Sequence, residues 1–280
     1  MVVEVVGGLV SGSLALLADA GHMLTDVAAL GLAVMSQRLA QRPADDRRTY
    51  GYLRLEILAA LLNGAVLFAL SVWIVVEAAH RLGNPAPIKG ALFATIAAVG
   101  LAVNLVALRL LHGDANHDLN TRGAYLHIMG DLLGSVGALA AAGIVILTGW
   151  TLADPIVSVL LSLLILVSAW RLLRESVDVL LEAVPRHIRM DEVEGRLRAV
   201  PGICDVHDLH VWAMGTADSA LTAHLVMPDG APGDTFLQEA TRQLHERFGF
   251  GHVTLQVVRA PFTEACVPPR QARGVPDRAR

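Results

Sequence analysis

Five runs of about 20 mostly apolar residues dominate the chain, at 14–39, 55–77, 90–111, 125–147 and 153–173. A helix of ~20 residues rises ~30 Å, the thickness of a bilayer's hydrocarbon core. Within that layer only a helix or a closed barrel satisfies its own backbone, and runs this long and continuous fit a helix. The chain therefore reads as an α-helical membrane protein seated in a lipid bilayer. Composition agrees: 54% of its 280 residues are hydrophobic and 17% charged, against ~25% charged in soluble domains. A formal net charge of −4 gives no basic surface for nucleic acid. Cys204 and Cys266, neither in a CxxC pair, provide no disulfide framework and no cysteine-based zinc module.

A shorter apolar run covers 1–10, only ~15 Å of helix. It has no basic segment before it and no cleavage site, so it is not a secretory signal. It reads as the second half of a first spanning helix. The count becomes six transmembrane helices, the first one truncated, with an apolar upstream extension expected.

The loops orient the protein. Arg38, Arg42, Arg47, Arg48 and Arg54 lie in one connection, Arg109 and Arg122 in another. Arg171, Arg174, Arg186 and Arg189 follow the last span. The positive-inside rule puts these loops and the C-terminus in the cytoplasm. Lys89 is the only lysine among 22 basic residues, a bias that fits a GC-rich bacterial genome and so a multi-pass protein of the inner (plasma) membrane.

After Pro185 the pattern changes. "MDEVEGRLRAV" has the apolar spacing of an amphipathic helix. "ICDVHDLHVWAM" and "ALTAHLVM" alternate like strands, "DTFLQEATRQLHERF" is helical, and "HVTLQVV" is a last strand. The order αββαβ predicts a small α+β domain. The expected domains are 1–184 transmembrane, 185–262 cytoplasmic, and a Pro- and Arg-rich disordered tail at 263–280.

"GHMLTD" and "LHIMGD" share one spacing: His22 with Asp26, and His127 with Asp131. Four residues apart on a helix, each pair stacks on one face. A carboxylate at the bilayer centre costs roughly 2.5–3.5 kcal/mol on insertion scales. One such pair has a simple alternative as a packed hydrogen-bonded couple. Two pairs, on two spans read as running in the same direction, supply two imidazoles and two carboxylates, a donor set suited to tetrahedral Zn²⁺. Metal and carboxylates then offset each other's charge. Asp19, one turn before His22, either orients that imidazole or lies near the outer surface. Asn63 and Asn104 offer hydrogen bonds between spans and are given no ligand role.

"SGSLALLADAGHMLTD", "RTYGYLRLEILAALLNG", "HIMGDLLGSVGA", "ADPIVSVLLSLLI" and "VHDLHVW" resemble the zinc-transporting branch of the cation diffusion facilitators, from residue 1 to about Arg259. The resemblance implies six transmembrane helices, a cytoplasmic ferredoxin-like domain, a homodimer, and export of Zn²⁺ in exchange for protons, with no organic cofactor. It places the transport ligands on His22, Asp26, His127 and Asp131. It also implies a cytoplasmic metal site at His207 and His224, with His252 as a third candidate. The last strand has Gln256 and Val258 where relatives supply ligands. A charge pair at the junction of membrane and cytoplasmic parts falls on Arg54 and Glu182.

Two departures matter. A loop site built in some members from one Asp and two His falls here on Asp45, Arg48 and Tyr52, and Arg does not ligate cations. The His-rich loop of many relatives reduces to His112 and His117. His210, out of register with the other strand histidines, is read as structural; His187, His245 and Cys204 have surface, helix and strand readings. An intramembrane metalloenzyme needs an open metal position and a general base. No HExxH occurs and four protein ligands fill the metal, so the chain is read as no enzyme. The alternative is a zinc-sensing or zinc-binding membrane protein without transport.

Overall fold

The computed structural model describes residues 2–40, 42, 44–111, 119–216, 218–228 and 233–259. His112, His117 and the tail at 263–280 lie outside them. The chain divides into two compact units, Met1–Pro43 with Leu58–Ser176, and Ala44–Ile57 with Val177–Arg280.

The helices are α1 (Val2–Ser11), α2 (Leu14–Ala40), α3 (Arg54–Gly83), α4 (Gly90–Leu111), α5 (Leu119–Thr148) and α6 (Ala153–Leu180). Five are long and apolar enough to cross a membrane; α1 is shorter. The helices α3 and α6 run further at their ends than their apolar stretches. Charged residues sit at those ends: Arg174 is exposed, while Arg81 donates to Glu77 Oε1 at 3.0 Å and to the Gly12 carbonyl.

The interior of the first unit is made of small residues. Ala15, Ala97, Ala138, Ala141, Ala142 and Ala153 surround Leu16, Phe93 and Ile96. Without a hydrophobic drive between helices in lipid, close backbone approach supplies the attraction, and alanine permits it. Gly21 shows the limit: a Cβ there would sit 2.2 Å from Leu70 Cδ2 of α3. The large apolar side chains point outward instead. Leu30, Leu110 and Leu164 are 68%, 75% and 69% exposed, a surface that belongs in lipid.

The start of α2 is fixed from α6. Asp154, fully buried, accepts the Ser13 hydroxyl on Oδ1 at 2.5 Å and the Leu14 N–H on Oδ2 at 2.8 Å. Ala15 N–H also reaches Oδ1 at 3.2 Å. The free donors of a helix N-terminus are thus met by a carboxylate. Asn104 of α4 donates to Ser135 Oγ of α5 at 3.0 Å, the interhelical role expected of it.

The second unit contains α7 (Met190–Arg198), β1 (Asp205–Ala213), β2 (Ser219–Val226), α8 (Asp234–Phe248) and β3 (His252–Val258). This is the αββαβ order. The sheet runs β1-β2-β3, with β1 antiparallel and β3 parallel to β2. A parallel neighbour needs a crossover, which α8 supplies. One sheet face packs Val206, Val211, Leu221 and Leu225 against Val193, Leu197 and Leu244 of the helices. The helix α8 ends at Gly249, at φ 73°, where a side chain would be strained.

The segment 44–57 belongs to this unit. Arg54 Nη2 donates to Glu182 Oε1 at 3.0 Å, and the Thr216 hydroxyl donates to Glu56 at 2.9 Å.

Candidate metal centre

Helix α2 presents Asp19, His22 and Asp26 along one face; α5 presents Asp131. His22 Nδ1 lies 3.6 Å from Asp26 Oδ2, and His22 Nε2 lies 3.7 Å from Asp131 Oδ1. One imidazole therefore stands between two carboxylates, with one ring nitrogen toward each. The three side chains are between 14% and 30% exposed. Two ligands 2.0–2.1 Å from a tetrahedral Zn²⁺ stand about 3.3 Å apart; one ring nitrogen binds one ion, so only one of the two gaps can close to such an edge, and each is a few tenths of an ångström wider. His127 belongs to α5, one turn before Asp131; its side chain lies outside the described residues. Among the described residues no three His, Cys, Asp or Glu side chains converge closely enough to hold a metal ion.

The group opens into a cavity of about 420 Å³ that Asn63 of α3 and Leu161 and Ile165 of α6 help to line. Asp19 also lines it and is 8% exposed. Its Oδ1 lies 3.6 Å from the point a Cβ on Gly134 would occupy. Asp19 is thus in the cavity wall, one turn from His22. The same contacts correct the reading that the two spans run in one direction. Asp131 meets His22, and Gly134, one turn later, meets Asp19, one turn earlier, so α2 and α5 are antiparallel. α5 is the third span after α2, and an odd number of steps along the chain reverses direction.

On the sheet face away from the core, His207 pairs with His224, and His224 with Gln256. The two imidazoles stand edge to face, with centroids 5.1 Å apart. The structure does not bring His252 to them. It pairs with Ala220, four residues up the ladder from Gln256, about 13 Å away at ~3.3 Å per residue. Its ring instead stands edge to face with Tyr50, at 5.4 Å. A strand's length separates residues that a one-dimensional reading could place together.

His210, read from the sequence as structural, has a carboxylate partner. Its Nε2 lies 2.8 Å from Asp208 Oδ1. Sequence reasoning missed Asp208, because "VHDLHVW" reads as plain alternation. The register slips between His207 and His210, and Asp208 has φ 53°.

Around the loop positions, Asp45 Oδ1 accepts the N–H groups of Arg47 and Arg48, both at 2.8 Å. The Tyr52 hydroxyl donates to its Oδ2 at 3.3 Å, and the Arg48 guanidinium lies over the Tyr52 ring at 4.9 Å. The Arg47 and Arg48 N–H groups hold the Asp45 carboxyl below the usual carboxylate range. The Arg48 guanidinium also lies 3.6 Å from Asp45 Oδ2, where the loop site of some other members has a histidine.

A bundle of apolar helices with an internal His/Asp cavity, joined to a three-stranded α+β unit, defines a multi-pass membrane protein of cation-transporter type. Residues 1–181 match the model of the cation efflux transmembrane domain, and residues 185–259 that of the cation efflux protein cytoplasmic domain. The zinc transporter ZitB of Escherichia coli is 46% identical over 93% of this chain and 84% of its own length. The metal cation efflux system protein CzcD of Cupriavidus metallidurans is 42% identical over 95% and 84%. The cadmium, cobalt and zinc/H(+)-K(+) antiporter of Bacillus subtilis is 38% identical over 92% and 84%. A solved metal-bound C-terminal domain of CzcD is 33% identical over 25% of this chain and 99% of that one, with TM-score 0.24. The chain belongs to the cation diffusion facilitator family, in its zinc branch, a family of metal cation efflux transporters.

Proposed function

We propose that this protein exports Zn²⁺ from the bacterial cytoplasm across the inner membrane in exchange for protons, with His22, Asp26, His127 and Asp131 as the ligands in transit. The observation that carries this reading is the His22 imidazole between Asp26 and Asp131, on two helices facing one cavity. Zn²⁺ needs a bare ring nitrogen and ionised carboxylates. A doubly protonated ring offers one N–H to each carboxylate. Proton and metal therefore compete for the same atoms, and one leaves as the other binds. Imidazoles exchange protons near neutral pH, with an ordinary pKa of about 6.5. The names of the E. coli and B. subtilis relatives, a zinc transporter and a zinc/H(+)-K(+) antiporter, support the same reading.

Zinc enters from the cytoplasmic side, is taken up by the four ligands, and leaves outward when the helices rock to alternate access. No organic cofactor takes part. The cytoplasmic unit joins two copies into a homodimer, and His207 and His224 sense the metal there. Arg54 and Glu182 hold the segment 44–57 to that unit.

The test is zinc accumulation in sealed vesicles carrying equal amounts of purified protein. The parent protein accumulates zinc and Asp131→Ala does not, while both elute as dimers. Equal transport by Asp131→Ala would overturn the ligand assignment.

A further inference from the structure

We infer that Asp208 is a third metal ligand beside His207 and His224, turned toward them by a bulge in β1, and that His210 holds its carboxylate in place. The inference deepens the sensing role given above to His207 and His224 and is independent of the transport site.

In a regular strand successive side chains alternate between faces, so Asp208 would point into the core opposite His207. The pairing shows why it does not. His207 faces His224 and His210 faces Thr222. Asp208 and Leu209 therefore stand opposite the single residue Ala223, which is one extra residue in β1 and the definition of a bulge. The parity of the core positions shifts across it: Val206 is buried before the bulge, Val211 and Ala213 after it. Asp208 takes the left-handed backbone at φ 53°, a region that Asp and Asn enter more readily than most residues. His207, Asp208 and His210 end on one face, with His224 beside them.

The three side chains stand just too far apart to hold a cation as they are, but the gaps are small. Asp208 Oδ2 is 3.9 Å from His224 Nε2, and Oδ1 is 2.8 Å from His210 Nε2. The carboxylate thus has one oxygen held by His210 and the other turned to His224. A closure of about half an ångström brings Oδ2 and Nε2 to the ~3.3 Å edge of a tetrahedral zinc site. His207 Nε2 is buried and has no hydrogen-bond partner among the described residues. A buried polar atom without a partner is costly, and a metal ion would satisfy it. The donor set, two imidazoles and one carboxylate, suits Zn²⁺ and its borderline neighbours such as Co²⁺.

The bulge also accounts for the third strand. The residue that completes the row His207, His224 is Gln256, a neutral amide and a poor match for a divalent cation. Asp208 supplies within β1 the negative charge that β3 lacks. His252 takes no part.

The experiment uses the full chain in detergent with the transport site disabled by His22→Ala and Asp131→Ala, so that its result does not depend on transport. Zn²⁺ affinity is measured against a fluorescent chelator, and Co²⁺ is read by its visible absorption. In this background Asp208→Asn keeps the bulge, since Asn tolerates the left-handed backbone, but removes the charge. It should weaken Zn²⁺ binding at least tenfold and reduce the tetrahedral Co²⁺ band. Asp208→Gly, which also tolerates that backbone, should match it; His252→Ala should bind like the background protein. Undiminished affinity in both Asp208 variants would overturn the inference, as would undiminished affinity in the double variant His207→Ala, His224→Ala.

Discussion

Asp154 at the start of α6 accepts the hydroxyl of Ser13 at the start of α2, at 2.5 Å, and so caps a helix 140 residues away in the chain. The site histidine lies about two and a half turns further along α2 from that cap. Asp154→Ala would leave the Ser13 hydroxyl and two backbone N–H groups without a partner in a buried place. The expected loss is about 2–4 kcal/mol, seen as a fall of roughly 5–10 °C in the thermal midpoint of the detergent-solubilised protein. Asp154→Asn keeps one acceptor and should lose less. An unchanged midpoint for Asp154→Ala would mean that the cap contributes nothing.

Arg54 and Glu182 are 42% and 60% exposed, at 3.0 Å. Such a pair contributes at most about 1 kcal/mol, so Arg54→Ala should leave the thermal midpoint nearly unchanged. If the pair keeps segment 44–57 in register with the second unit, Arg54→Glu should reduce zinc transport and the double exchange Arg54→Glu, Glu182→Arg should restore much of it. Transport lost in the single variant and not regained in the double would refute a role for the pair.

The Asp45 loop should be pH-sensitive with a definite sign. Its carboxyl is held low by the N–H groups of Arg47 and Arg48, so the folded loop favours the ionised form. The stabilisation is fully present above the ordinary carboxylate range and is lost as pH falls through the lowered folded value. Hydrogen exchange at the Arg47 and Arg48 amides should stay slow under mildly acidic conditions and speed up only in stronger acid, after correction for intrinsic rates. Asp45→Asn should remove that dependence. A transition at the ordinary carboxylate pH would contradict the hydrogen-bond assignment.

Imidazole favours Zn²⁺, and carboxylate suits harder ions. His22→Asp should therefore widen transport toward Mn²⁺ in competition assays. A full zinc preference in that variant would place selectivity elsewhere.

Much of this was legible because its signals are periodic. A run of apolar residues long enough to span gave each of the five long helices, and HxxxD repeated on two spans pointed to His22, Asp26 and Asp131, all three of which line one cavity. Strand alternation gave the αββαβ order. What stayed hidden depends on register and on distant contacts. His252 and Gln256 share a strand face, and only the pairing of β3 with β2 shows which one reaches His224. The bulge at Asp208 has no marker in "VHDLHVW", since no glycine announces the left-handed residue. The Asp154 cap joins helices far apart in sequence, and "ADP" at a helix start says only that a carboxylate is near an N-terminus. The direction of α5 relative to α2 follows from counting crossings, a step separate from the motif itself.

The central claim is that metal and proton use the same four ligands. It is tested most directly by recording zinc and pH together in sealed vesicles that are acidic inside. The account predicts that zinc entry through the parent protein is matched by proton exit, that dissipating the gradient slows both, and that Asp26→Ala and Asp131→Ala lose both together. Zinc entry with no proton movement in the parent protein, or proton-coupled zinc entry that survives both substitutions, would contradict it.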